Sequence, residues 1–174
     1  DILVNNAGSS YRRNVDELKT NDMIADMDLK VFANIRLVQA CLPHMKERQW
    51  GRVINIVSIG GKVPGGGSAP TALSRASGMT WTKVIANELA SWGILVNALC
   101  VGKIKSGQWD RRYEASEKKQ SYEEFLAPTA ASIPLGRLGE SVELANVACF
   151  LASDLASYVT GIALNVDGGL CPVT

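Results

Sequence analysis

The chain has 174 residues, the size of one domain or of part of a larger one. Hydrophobic residues make up 47% and charged residues 20%, a balance that excludes disorder. The net charge of +1, from 18 basic and 17 acidic side chains, lacks the basic excess of a broad nucleic-acid surface, and no apolar run has the length of a membrane span.

The predicted elements alternate. Ile2 to Asn5 reads as a short buried strand. Asn21 to Met45 carries helical spacing through Met23, Met27, Val31, Ile35, Val38 and Leu42, with Pro43 near its end. Arg52 to Ser58 is a Val/Ile-rich strand, and Gly60 to Pro70 a Gly/Pro-rich loop. Thr71 to Ser91 is a second long helix, ended by Gly93, and Ile94 to Leu99 a third strand. Residues 102 to 137 are polar, with Arg111-Arg112, Lys118-Lys119 and Glu123-Glu124. They read as an excursion holding one or two short helices, interrupted by Pro128 and Pro134. Ser141 to Ser153 is a helix with Val142, Ala145 and Cys149 expected inward, and Ile162 to Val166 the last strand. Apolar strands alternating with helices predict an α/β fold: a Rossmann-like, doubly wound parallel sheet in three α/β/α layers. With no repeat or linker, residues 1–174 read as a single domain.

The chain opens directly on a strand, without an initiator methionine or a signal peptide, and such a strand would make a flat, unpaired apolar edge. The expectation is that an N-terminal part of the fold precedes it. Cys41, Cys100, Cys149 and Cys171 have no CxxC spacing and His44 is the one histidine. Free thiols and no metal site are expected, with His44 on the surface or capping a helix.

Parallel strands bring their carboxyl ends to one rim, the usual ligand crevice of such sheets. Asn5-Asn6-Ala7-Gly8, Ser58 and Gly102 fall there. Taken singly, Asn5 to Gly8 is equally a plain Asn/Gly turn. Taken together and in order, these segments resemble the short-chain dehydrogenase/reductase family over essentially the whole chain. Asn5-Asn6-Ala7-Gly8 resembles its NNAG motif, Gly51 to Ser58 the strand that ends in the catalytic serine, and Val96 to Gly102 its VNAxxPG segment with Val101 for proline. Pro134-Leu135-Gly136-Arg137 and Thr160-Gly161 through Asp167-Gly168-Gly169 match its C-terminal blocks.

The resemblance implies an oxidoreductase that moves a hydride between NAD or NADP and a small carbonyl or alcohol, 3-oxoacyl reduction being one option. In the family a tyrosine handles the proton, a lysine lowers that tyrosine's pKa and holds the nicotinamide ribose, a serine polarises the substrate oxygen, and an asparagine anchors a water relay. Ser58 is in place, but Thr71 stands thirteen residues on where the tyrosine belongs, Arg75 stands for the lysine, and Lys30 stands for the asparagine. Asn97, 26 residues after Thr71, fixes this register. A threonine hydroxyl is a far weaker acid than a phenol with its pKa of about 10. Arg75 keeps the charge and the ribose-binding donors but stays protonated. Lys30, from the neighbouring helix, would reach the vacated space with a pKa lowered by burial and by Arg75. Two readings of the site stand, a rebuilt site of Ser58, Thr71, Arg75 and Lys30 that still turns over or an inactive dinucleotide- or metabolite-binding protein, and a plainer third has Lys30 merely pointing to solvent.

Further expectations follow from the resemblance. Asn5, Ala7, Gly8, Arg75, Gly102, Ile104 and Ser106 would bind the cofactor. Residues 103–137 would form a substrate lid, with Tyr113 and Tyr122 either acids that swing over the nicotinamide or packing residues, and Trp109 a lid anchor. Arg111, Arg112 and Lys118 would attract an acidic or acyl-carrier-linked substrate or simply face solvent. The family's glycine-rich phosphate loop falls before residue 1, and no GxGxxG or GxxxxGK pattern occurs in the chain. A cytoplasmic homo-oligomer, dimer or tetramer, is expected, with Trp81, Trp92 and the tail Leu170 to Val173 as interface or core.

Overall fold

The computed structural model describes residues 1–117 and 120–174. Its centre is a parallel sheet in the order β1 (Ile2–Asn5), β2 (Gly51–Ser58), β3 (Ile94–Val101) and β4 (Ala163–Val166). Asn5 pairs with Asn55, Ser58 with Val101 and Val101 with Val166, so the carboxyl ends align on one rim. β2 and β3 are buried on both faces, which is why they read as continuous Val/Ile/Leu runs rather than alternating ones.

Helices cover both faces. The long helix expected before β2 is interrupted: α1 (Thr20–Met27) and α2 (Ala33–Arg48) are joined by a π-helical turn at Asp28–Phe32. That wide turn carries Lys30 and Val31 into the interior, as such turns often do near functional sites. α2 and α3 (Thr71–Leu89) pack on one face through Val38, Met45, Ile85 and Leu89 against Val53 and Val96. α6 (Ser141–Ala152) packs on the other through Leu151 against Ile54 and Leu99. The turn into β3 needs Gly93: its φ is +68°, and a Cβ there would lie 2.3 Å from the Gln49 carbonyl oxygen.

The polar excursion holds α4 (Gly107–Ala115) and α5 (Tyr122–Ala131). It is closed by a stem in which Lys105 N–H donates to the Gly139 carbonyl and Gly139 N–H to that of Lys103, both at 2.9 Å. Trp109, Leu126, Ile133 and Leu138 give it a small core of its own.

Three local expectations are corrected. Pro128 lies inside α5 instead of interrupting it, because Leu126 and its neighbours pack well enough to offset one missing backbone bond. The helix expected to end at Met45 runs on to Arg48, with Pro43 near its end as expected. In α6 the inward face is offset: Leu144, Val147, Ala148 and Leu151 pack on the sheet, while Val142, at 61%, Ala145 and Cys149 are exposed. Alanine and cysteine blurred the stripe, and Val142 sits in the first turn of the helix.

Candidate active site

Two connected hollows lie at the carboxyl rim. The larger is a cleft of about 1090 Å3 that takes in Gly8, Ser58, Thr71, Arg75, Gly102, Ile104 and Ser106. The smaller, of about 130 Å3, is lined by Asn5, Ala7, Lys30 and Arg75 with Asn6, Asn34, Asn55 and Ser74. Arg75 lines both, together with Val4, Asn6, Ile56 and Val57, and so belongs to the partition between them. Every site residue expected from the sequence therefore faces one hollow or the other, but Lys30 faces only the smaller.

Ser58 ends β2. Its Oγ accepts from the Gly60 N–H at 3.2 Å, which leaves its own hydrogen free to donate into the cleft. Thr71 begins α3, facing the same cleft. Its Oγ1 accepts from the Tyr11 N–H at 2.9 Å and donates to the Tyr11 carbonyl at 2.8 Å, pinning the loop after β1 to the helix. Lys30 Nζ donates to the same Oγ1 at 3.2 Å. The ammonium thus stands behind the hydroxyl, not in the cleft, and its side chain is 1% exposed.

Lys30 is held by a residue one turn earlier. Asp26 Oδ1 accepts from Nζ, while Asp26 Oδ2 accepts from Ser74 Oγ at 2.6 Å. Burial pushes the Lys30 pKa below the usual lysine value, the Asp26 bond and charge pull against that, and the Arg75 charge adds to the lowering. Arg75 donates from Nη1 to the Ile56 carbonyl at 2.8 Å and keeps a buried, unpartnered Nε. Its Nη2 rests against Gly8, where a Cβ would come within 2.6 Å. Burial lowers its pKa too, opposed by Asp26.

A second network underlies the first. Asn55 Oδ1 accepts from Asn5 Nδ2 at 2.9 Å and Asn34 Nδ2 at 2.7 Å, and Asn55 Nδ2 donates to Thr82 Oγ1 at 2.8 Å. Trp81 Nε1 donates to Asn34 Oδ1 at 3.0 Å. Asn55 thereby stitches β2 to β1, through Asn5, and to α2 and α3. Sequence reasoning passed over Asp26, Ser74, Asn34 and Asn55. Two signals were readable: Asp26 and Lys30 are an i,i+4 acid–base pair, and Asn55 is a polar residue in the middle of a Val/Ile strand.

The expected lid tyrosines are engaged elsewhere. Tyr113 Oη donates to the Gln120 carbonyl at 2.8 Å, Tyr122 Oη to Asp110 Oδ1 at 2.9 Å, and their rings meet edge to face at 5.2 Å. Neither lines the cleft, which overturns their candidacy as swinging acids in this conformation; aromatic packing holds them in place. Trp109 does line it, with Arg111 and Arg112, whereas Lys118 lies outside the described residues. His44 is exposed on α2, its Nε2 3.4 Å from Asp1. No described helix is long and apolar enough to cross a membrane.

A family model described as enoyl-(acyl carrier protein) reductase matches residues 1–171. The 3-oxoacyl-[acyl-carrier-protein] reductase FabG of Vibrio cholerae is 35% identical over 170 residues, which cover 98% of this chain and 66% of the relative. The oxidoreductase UcpA of Salmonella typhimurium is 36% identical over 170 residues, 97% of this chain and 64% of the relative. The chain thus spans slightly less than two thirds of these curated relatives. Among solved structures, a short-chain oxidoreductase from Pseudomonas aeruginosa PAO1, described as containing an atypical catalytic center, superposes with a TM-score of 0.92 at 35% identity, covering 99% of this chain and 67% of that one. YwfH, an NADPH dependent reductase involved in bacilysin biosynthesis, superposes with a TM-score of 0.90 at 32% identity, covering 100% and 68%. The parallel sheet, the aligned rim motifs and these matches together establish that the chain belongs to the short-chain dehydrogenase/reductase family.

Proposed function

We propose that the protein is an NAD- or NADP-dependent oxidoreductase acting on a small carbonyl or alcohol, with a rebuilt proton path. The observation that carries this reading is the contact between Lys30 Nζ and Thr71 Oγ1, which couples a buried ammonium to a hydroxyl in the cleft of Ser58. The residues present fit the nicotinamide and ribose half of a dinucleotide. Arg75 offers charged donors at the partition beside a glycine that leaves room for a close approach, and Gly102, Ile104 and Ser106 form the opposite wall. Asn5 and Ala7 would support the adenosine side. The bound nicotinamide would supply or take the hydride.

The chain's own residues do the rest. Ser58 Oγ–H donates to the substrate oxygen and polarises the carbonyl. As negative charge grows on that oxygen, the Thr71 O–H turns from the Tyr11 carbonyl toward it and gives up its proton. Lys30 Nζ passes a proton to Thr71 Oγ1, which ends the step with an alcohol and a neutral Lys30 amine. Lys30 acts through Thr71 and does not touch substrate. The small hollow has room for a few water molecules, at about 30 Å3 each, from which the amine regains its proton. Residues 103–137 cover the substrate on their two-bond stem, as one domain with the rest. The exposed apolar Leu73, Val84 and Trp92 on and beyond α3 support a homo-oligomer, dimer or tetramer, and the free cysteines suit a reducing compartment such as the cytoplasm. A 3-oxoacyl compound is one substrate option, as the name of the Vibrio relative suggests.

A second reading has one observation in its favour: the only hydrogen of the Thr71 hydroxyl is engaged with Tyr11, as suits a structural pin in a protein that binds a dinucleotide or metabolite without turnover. Assay of the full-length protein with NADH and NADPH over a panel of ketones separates the two. Cofactor oxidation that depends on Lys30 supports the rebuilt site; binding without turnover supports the second reading.

A further inference from the structure

The wall of the cleft has a charge bias that the whole chain lacks. Four cations line it, Arg75, Lys103, Arg111 and Arg112, and no aspartate or glutamate does, in a chain with 18 basic and 17 acidic side chains. Arg75 stands at the Gly8 end. The other three stand on the segment that leads into α4 and on α4 itself. Arg12 does not line the wall but acts on Lys103 through its charge: its residue bridges to Pro70, next to Thr71, and its guanidinium donates to the Gly66 carbonyl at 3.1 Å. Among the described residues none of Arg12, Lys103, Arg111 and Arg112 forms an ion pair, although Lys105, two residues from Lys103, and Arg137 both do. Arg112 instead lies over the Trp109 ring at 5.0 Å, which fixes it at the cleft wall.

We infer that this cleft selects a substrate bearing an anionic group, a carboxylate or a phosphate, which Lys103 receives together with Arg112 while the reacting carbonyl lies at Ser58 and Thr71. The inference rests on the oxidoreductase reading for the reaction but not for the binding. Clustered like charges without counter-ions repel one another, and an anion placed among them removes that repulsion. The charges of Arg112 and Arg12 add to desolvation, the larger cause, in lowering the Lys103 pKa below the usual lysine value. Arginine offers a fork suited to planar carboxylates and phosphates, and lysine a point charge suited to either.

The test uses matched probes on the full-length protein with both reduced cofactors: acetoacetate against methyl acetoacetate, and dihydroxyacetone phosphate against dihydroxyacetone. The acid or the phosphate is expected to have a KM about tenfold or more below its neutral partner. Whichever arm shows the larger ratio identifies the anion. Lys103→Gln should raise the KM for the anionic probe about tenfold with kcat changed less than threefold, and Lys103→Arg should restore most of it. Calorimetric binding of 3-hydroxybutanoate and glycerol 3-phosphate supplies a readout free of turnover. Equal KM values for charged and neutral probes would overturn the inference and leave the oxidoreductase reading standing. Anion binding weakened by Lys103→Gln but without turnover of any probe would sustain the inference and sink that reading. Neither binding nor preference would overturn the inference outright.

Discussion

Thr71 and Tyr11 exchange two hydrogen bonds, 2.9 Å from the Tyr11 N–H to the hydroxyl and 2.8 Å from the hydroxyl to the Tyr11 carbonyl. One side chain at the start of α3 thus saturates the backbone of a loop 60 residues away and meets the Lys30 ammonium as well. Thr71→Val keeps the shape and removes the hydroxyl. It strands two backbone groups and one ammonium donor, and should cost about 2 kcal/mol of stability. If the hydroxyl also carries the proton, turnover should fall about 10²-fold or more. Thr71→Ser should retain both. Denaturant midpoints and kcat for the three proteins check this.

Lys30 predicts a pH dependence with a definite sign. Its folded-state pKa lies below the ordinary 10.5, chiefly through burial. Carbonyl reduction needs the ammonium, so kcat should fall as pH rises through that lowered pKa, and Lys30→Met should abolish this limb of the profile. Stability runs the other way. The unfolded chain keeps the proton at pH values where the native amine has lost it, so stability rises with pH from the folded pKa up to about 10.5. Lys30→Met removes this rise too, and by leaving Asp26 buried with only Ser74 it should cost about 3–5 kcal/mol.

Gly8 separates folding from binding. Its added Cβ would meet only the far end of Arg75, at 2.6 Å, which can swing aside. Gly8→Ala should therefore change stability by less than about 1 kcal/mol. The displaced guanidinium should weaken dinucleotide affinity about tenfold, the scale of one charged hydrogen bond. Calorimetric titration with NADH and NADPH measures it and shows which of the two is preferred.

Glu143 ties the lid stem to α6. Its carboxylate accepts two bonds from Arg137, at 2.7 and 2.8 Å, and one from the Glu140 N–H. The Arg137 bonds above all hold its pKa down to about 2. The contribution is present above the ordinary 4.5 and lost as pH falls through about 2. Glu143→Gln should flatten the acid side of the stability profile in that window, as followed by circular dichroism.

The sheet was legible because β2 and β3 are buried on both faces and so spell themselves as unbroken Val/Ile/Leu runs. The rim residues Gly8, Ser58, Thr71, Arg75 and Gly102 were legible because strand ends and motif spacing fix their places. What the chain order hid was depth. Lys30 was expected in the space beside Thr71, and the π-helical turn carries it behind Thr71 instead. Hydrophobic periodicity cannot register one extra residue in a helical turn. Asp26 and Ser74 were hidden for a related reason: both are polar residues inside amphipathic helices, and only the crossing of α1 and α3 shows that they meet. The lid tyrosines were left open between acid and packing residue because a loop sequence does not disclose whether its aromatic rings face the cleft or each other; they face each other.

The central claim is that Lys30 feeds a proton through Thr71 to a substrate oxygen held by Ser58. The most direct test is the pH profile of kcat for ketone reduction by the full-length protein, measured beside Lys30→Met. The account predicts a rate that declines with rising pH below the ordinary lysine range, and a Lys30→Met variant that is slower by about 10²-fold and shows no such decline. A profile unchanged by Lys30→Met, or no reduction by the native protein at any pH, would contradict it.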